Sequence, residues 1–131
     1  MMNERVASIM TRELITVNQD DSLQKVKDIL INNRIHHVPV VDGKKLVGLV
    51  TTYDLFKLNV EHKDYPNTRV GNVMTKRIAT IESNFHIGTA AEVFMEHLFH
   101  AIPVVDNEEL VGIVTSFDIL KYEYQKEYPR G

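Results

Sequence analysis

Apolar and polar residues fall into alternating helical and strand-like stretches along this chain, and the order of the stretches occurs twice. From Ser22 onward, apolar Leu23, Val26, Ile29 and Leu30 recur at helical spacing, and Asn32–Asn33 end the run. Before this helix, Leu14–Val17 is a short apolar run with a β-branched Thr, which predicts a strand. After it, His36–Val41 predicts a second strand, Asp42–Gly43 a hairpin turn, and Lys44–Thr51 the returning strand. Thr51-Thr-Tyr-Asp54 then opens a second helix running to about Asn59. Pro39 inside a strand run argues for an edge or bulged position, because proline has no N–H to give to a ladder. The predicted unit is β-α-β-β-α, preceded by a short turn at Val6–Met10.

The same order returns as strand Ile78–Ile81, helix His86–Leu98, strand His100–Val105, turn Asp106–Asn107, strand Glu109–Thr115 and helix Ser116–Gln125. Shifting the chain by 64 residues lays Val6–Lys57 on Val70–Lys121 without a gap, and 16 of 52 positions are identical. The identities include Pro39, Asp42, Gly48, Thr51 and Asp54, so chance similarity of two amphipathic stretches does not explain them. One unit of this size has a single sheet face and two helices, too little to bury a stable core alone. The expected fold is α/β (α+β), with two β-α-β-β-α repeats packed about a pseudo-twofold axis and two equivalent clefts between them. The predicted boundaries are 1–60 for the first repeat, 61–69 for a linker, 70–126 for the second repeat and 127–131 for a tail. Leu58–Arg69, polar and carrying Pro66 and Asn67, is expected as a surface linker. Tyr122–Gly131 is expected as a frayed helix end.

Composition narrows the function classes. Of 131 residues, 44% are hydrophobic and 25% charged, ordinary values for a soluble globular protein. A net charge of −3 gives no basic excess to hold nucleic acid or anionic lipid. The chain has no cysteine, which excludes disulfides, a thiolate nucleophile and cysteine-based zinc sites. No apolar run is long enough to span a membrane, and the opening MMNERVASIM mixes acid and base without a signal-peptide core. A cytoplasmic protein without nucleic-acid or membrane partners is expected.

Candidate chemistry repeats with the fold. Thr51-x-x-Asp54 and Thr115-x-x-Asp118 stand before apolar runs and have the form of capping boxes. Such caps are common and explain the Thr on their own. A helix N-terminus also attracts anions, and a short Asp held there can accept two hydrogen bonds from a ribose diol. Metal ligation is disfavoured: a helix end separates His97 from His100, and His36 and His37 point to opposite faces of one strand. Met10, Met74 and Met95 are expected as core filler. No Ser/His/Asp set, P-loop or dinucleotide fingerprint appears, so an enzyme is not expected. Apolar residues on the second helix of each copy, Leu55, Phe56 and Leu58 with Ile119 and Leu120, exceed what one sheet covers and point to a homodimer.

The segments VASIMT and VGNVMT, with HHVPVVDGKKLVGLVTTYDLFK and HAIPVVDNEELVGIVTSFDILK, resemble a tandem pair of cystathionine β-synthase (CBS) domains, or Bateman module. The resemblance covers about 6–121 and implies a regulatory module that binds an adenosyl ligand in its clefts. AMP, ADP, ATP, S-adenosylmethionine and cyclic dinucleotides all present an adenosyl group. The resemblance also implies that occupancy is passed to a partner protein and that copies pair into dimers. Residue by residue, it assigns Asp54 and Asp118 to the ribose, and Thr51 and Thr115 to ribose and phosphate. Ile15 and Ala79, with Thr16 and Thr80, fall where the adenine pocket is lined; core packing explains Ile15 equally well, and Ala79 leaves more room for a ring. His36, His37, His100 and Ala101 stand just before the Pro39 and Pro103 strands, where relatives often carry His-Arg facing phosphate. The alternative is that these histidines are solvent-edge residues. Tyr53 and Phe117 replace a Ser or Thr of some relatives and remove one hydroxyl contact. A structural dimerisation module with empty clefts is the other reading of the same sequence.

Overall fold

The computed structural model describes residues 3–58, 60–97 and 100–129. It divides into two compact units, Ile15–Ile78 and Met1–Leu14 with Ala79–Gly131. Helix and strand are mixed in each, as expected.

In the Ile15–Ile78 unit, α1 spans Leu23–Asn33. Ser22 caps it, its hydroxyl accepting the Lys25 N–H at 3.2 Å, and Arg34 ends it in the left-handed region at φ 53°. The helix buries Leu23, Val26 and Leu30. Strand β1 (His37–Asp42) pairs antiparallel with β2 (Lys45–Thr51), with a register slip between Val40 and Val41. Gly43 takes the hairpin turn at φ 65°. Helix α2 is short, Thr52–Lys57, and the chain turns extended at Leu58; the expected end at Asn59 lies outside the described residues.

The predicted strand Leu14–Val17 is reduced to a single parallel bridge of Val17 with Val40. Val17 N–H donates to the Pro39 carbonyl at 3.1 Å, and Val41 N–H donates to the Val17 carbonyl at 2.8 Å. The next parallel bond would need an N–H on Pro39, which proline lacks, so the ladder stops there. Pro103 stops the predicted strand Ile78–Ile81 in the same way, leaving Ile81 N–H on the Pro103 carbonyl at 3.2 Å.

The polar stretch Leu58–Arg69 is not only a surface linker. His62–Asn67 forms a 3-10 turn whose Tyr65 is 4% exposed and joins the core of Val17, Leu23, Val26, Leu30, Val38, Val40, Val50, Val70 and Met74.

In the other unit, α3 (Ile87–His97) buries Ile87, Ala90 and Phe94, and the expected end at Leu98 lies outside the described residues. Strands β3 (Ala101–Asp106) and β4 (Glu109–Thr115) pair with the same slip, between Val104 and Val105, and Asn107 and Glu108 turn at φ 52° and 69°. Helix α4 runs from Ser116 to Glu127, and Tyr122, expected in a frayed end, is buried. Of the expected tail, Arg130 and Gly131 lie outside the described residues.

The sequence copies and the spatial units do not share boundaries. The 3-10 turn Val6–Ser8 and the following Thr11 belong with the second hairpin: Thr11 and Ile113 exchange both backbone bonds, at 2.8 and 3.0 Å. The turn Val70–Asn72 and Thr75 belong with the first, where Thr75 and Leu49 exchange bonds at 2.9 and 3.0 Å. Met10 and Met74 are buried, as core filler should be, but Met95 is 72% exposed. It follows the buried Phe94 by one residue, which turns it about 100° away from the core face. Ile119 is buried, Leu55 and Leu58 are half-buried, and only Phe56 and Leu120 of the five expected apolar residues stand out in solvent, 88% and 65% exposed.

Candidate functional site

The two Thr-x-x-Asp motifs form complete capping boxes. Thr51 Oγ1 accepts the Asp54 N–H at 3.1 Å while Asp54 Oδ2 accepts the Thr51 N–H at 2.9 Å. Thr115 and Asp118 repeat this at 3.1 and 2.8 Å. Each box sits where a hairpin strand runs directly into a helix, so the strand fixes the Thr and the helix fixes the Asp. The carboxylate is thereby pinned at the positive end of the helix.

The hairpin brings other predicted residues beside each box. His37 is the register partner of Thr51, and Thr52 N–H donates to the His36 carbonyl at 2.9 Å. Ala101 pairs with Thr115, and Ser116 N–H donates to the His100 carbonyl at 3.1 Å. Pro39 and Pro103 are buried and offer carbonyls rather than rings, holding Val17 and Ile81. That contact draws Ile15-Thr16 and Ala79-Thr80 towards the same strands. Ile15, Ala79 and Thr80 are exposed, and Thr16 is half-buried. His36 and His100 are exposed, as are Tyr53 and Phe117. Ile15, Thr16, His36, His37, Pro39, Thr51, Tyr53 and Asp54 thus lie in one unit, and their counterparts in the other.

The two sites differ in ways the repeat hides. Thr75 Oγ1 donates to Asp54 Oδ1 at 3.2 Å. Among the described residues no matching bond joins Thr11 to Asp118. Lys57 lies 4.7 Å from the centroid of the Tyr53 ring. Its counterpart Lys121 instead lines, with Ser8, Ile9, Asp118, Tyr122 and Gln125, a cavity of about 190 Å³. Thr75 and Lys121 were not among the predicted site residues, although Thr11/Thr75 and Lys57/Lys121 are both identities of the repeat. Beyond the boxes, Ser83 donates its hydroxyl and N–H to Asp106, at 2.5 and 3.0 Å, and holds that carboxyl below its usual range. Among the described residues no group of three His, Asp or Glu is placed to hold a metal ion. No helix of the described residues is long and apolar enough to cross a membrane.

Two copies of a hairpin flanked by helices, each with a carboxylate pinned where strand meets helix, define a tandem-repeat module rather than a single catalytic centre. The chain belongs to the CBS domain family, whose model matches residues 6–61 and 70–124. CBS pairs are regulatory modules. Among solved structures, the chain is similar to CBSX2 in complex with AMP, at 27% identity and a TM-score of 0.85 over 94% of this chain and 98% of that one; CBSX2 is from Arabidopsis thaliana. It is also similar to the CBS domain pair of protein MJ0100 in complex with 5′-methylthioadenosine and S-adenosyl-L-methionine, at 30% identity and a TM-score of 0.79 over 94% and 98%. Protein MJ0188 of Methanocaldococcus jannaschii is 32% identical over 98% of this chain and 48% of its own length. The inosine-5′-monophosphate dehydrogenase of that organism is 30% identical over 98% of this chain and 25% of its own length. The chain therefore spans a quarter to a half of these two relatives.

Proposed function

We propose that the chain is a ligand-sensing module that binds an adenosyl ligand, a nucleotide such as AMP, ADP or ATP or else S-adenosylmethionine, at Asp54 and at Asp118, and passes occupancy to a partner protein. The observation that carries this reading is the pair of carboxylates locked by capping boxes. Each has Oδ2 committed to a backbone N–H and offers Oδ1 to a ribose hydroxyl, an oxygen that at Asp54 also accepts the Thr75 hydroxyl. Exposed Ile15 and Ala79 supply apolar surface of the kind an adenine face packs against, and Lys121 supplies a cation beside Asp118. The AMP, 5′-methylthioadenosine and S-adenosylmethionine carried by the similar structures support the same ligand class.

Calorimetry with AMP and with S-adenosylmethionine tests this. Asp54→Ala and Asp118→Ala should each remove one site. The loss expected is about 1.5–3 kcal/mol per charge-assisted hydrogen bond. A double variant that stays folded and binds as tightly as the natural chain overturns the assignment. Absence of any adenosyl binding by the natural chain favours the structural reading.

The module is also proposed to work as a homodimer. Exposed apolar residues occupy matching positions of the two copies: Ile31 and Met95, Tyr53 and Phe117, Phe56 and Leu120. Selection of the same outward apolar positions twice suits a self-complementary helical face. Light scattering should return about twice the chain mass of 15.1 kDa, and Phe56→Ser should lower it. A monomer mass at micromolar concentration overturns the dimer.

A further inference from the structure

We infer that Thr75 is a latch on the first ligand site, so that the Asp118 site is the tighter of the two; this rests on the proposal that both aspartates receive a ribose. The boxes themselves are equivalent, with the Asp Oδ2 taking the Thr N–H at 2.9 and 2.8 Å. What differs is Oδ1. At Asp54 it already accepts the Thr75 hydroxyl at 3.2 Å. At Asp118 no protein donor occupies it among the described residues.

Thr75 is well placed to do this. Its backbone exchanges two hydrogen bonds with Leu49, which lies two residues before Thr51 on β2. Thr11 is anchored equally well on Ile113, yet its hydroxyl does not reach Asp118. The backbone frames therefore match and the side chains do not. A diol reaching Asp54 must share Oδ1 with the Thr75 hydroxyl or displace it, and either way it gains less from that oxygen. A diol reaching Asp118 has only water to replace at Oδ1. Ile15 at the first site against Ala79 at the second works in the same direction, since the larger side chain leaves less room for a ring.

Single-site proteins separate these effects. Asp118→Ala leaves only the first site and Asp54→Ala only the second, each read with AMP by calorimetry. The second-site protein should bind AMP more tightly than the first-site protein. In the first-site protein, Thr75→Val should tighten AMP about fivefold, the equivalent of one hydrogen bond of ordinary strength. Thr75→Ser, which keeps the hydroxyl, should leave it weak. In the second-site protein, Thr11→Val should change nothing. Folding of each variant is checked by circular dichroism. A folded first-site protein in which Thr75→Val leaves AMP affinity unchanged or weaker overturns the latch alone. A natural chain that binds neither AMP nor S-adenosylmethionine overturns the ribose proposal and the latch with it.

Discussion

Gly112→Ala probes how the lead-in of the first sequence copy seats on the second hairpin. A Cβ built on Gly112 falls 2.6 Å from Met10 Sδ, 2.9 Å from Met10 Cγ and 3.0 Å from the Thr11 carbonyl oxygen. Ordinary carbon contacts lie at about 3.5–4.0 Å. The methionine can swing aside, but the Thr11 carbonyl is held by the Ile113 N–H at 3.0 Å and belongs to the backbone. At Gly48 the three atoms nearest the equivalent Cβ all belong to the Met74 side chain, its Sδ, Cγ and Cβ. Overpacking costs about 1–3 kcal/mol, and replacing a strand glycine by alanine returns about 0.5–1 kcal/mol. Gly112→Ala should therefore destabilise by about 2 kcal/mol, and Gly48→Ala by about 1 kcal/mol, since there the nearest neighbours belong to a flexible side chain. Urea unfolding reads both as shifts of midpoint at unchanged slope. Combining Gly112→Ala with Met10→Ala should cost less than the sum of the two, because the cavity left by methionine accepts the new methyl. A Gly112→Ala midpoint equal to that of the natural chain, or strict additivity with Met10→Ala, would refute the packing of Met10 on Gly112.

Other changes test the remaining structural claims. Tyr65→Ala should destabilise by about 3 kcal/mol, the loss of a large core aromatic, although Tyr65 comes from a stretch that reads as polar linker; a change below 1 kcal/mol by urea unfolding would show that the 3-10 turn does not plug the core. Ser83→Ala should flatten the acid limb of stability. Asp106 is held below its ordinary value of 3.8, so its contribution is present above that pH and is lost as the pH falls through the lower folded value. Unfolding midpoints at neutral and at strongly acid pH should differ less in the variant than in the natural chain; equal differences refute the Ser83 contact. Glu108→Gly should raise stability slightly, by about 0.5 kcal/mol, because relief of a left-handed residue at φ 69° outweighs the added freedom of glycine in the unfolded chain. A lowered midpoint would contradict the turn geometry.

Much of this protein was legible without its tertiary structure because the signals act over a few residues. Ser22 caps α1 through the N–H of Lys25, three positions on, and Thr51 and Thr115 close their boxes with Asp54 and Asp118 at the same spacing. Gly43 supplies the positive φ that a two-residue hairpin turn needs. The repeat carried these local rules from one copy to the other, and with them both carboxylates of the candidate site.

What the tertiary structure decided depends on neighbours far along the chain. Leu14–Val17 has strand composition, but its ladder ends at the Val17–Val40 bridge because Pro39, next along the partner strand, has no N–H to continue it. Tyr65 is buried because the 3-10 turn His62–Asn67 brings it into the core that holds Val26 and Leu30, a contact its polar surroundings in the sequence do not signal. Met95 is exposed because Ile87, Ala90 and Phe94 decided which face of α3 meets the core. The lead-in of each copy packs on the hairpin of the other copy, seated by methionine over glycine, a pairing no local pattern encodes. The difference between the two sites has the same origin. Thr11 and Thr75 are identical in sequence, as are Asp54 and Asp118, and only the packing around them lets one hydroxyl reach its carboxylate while the other does not.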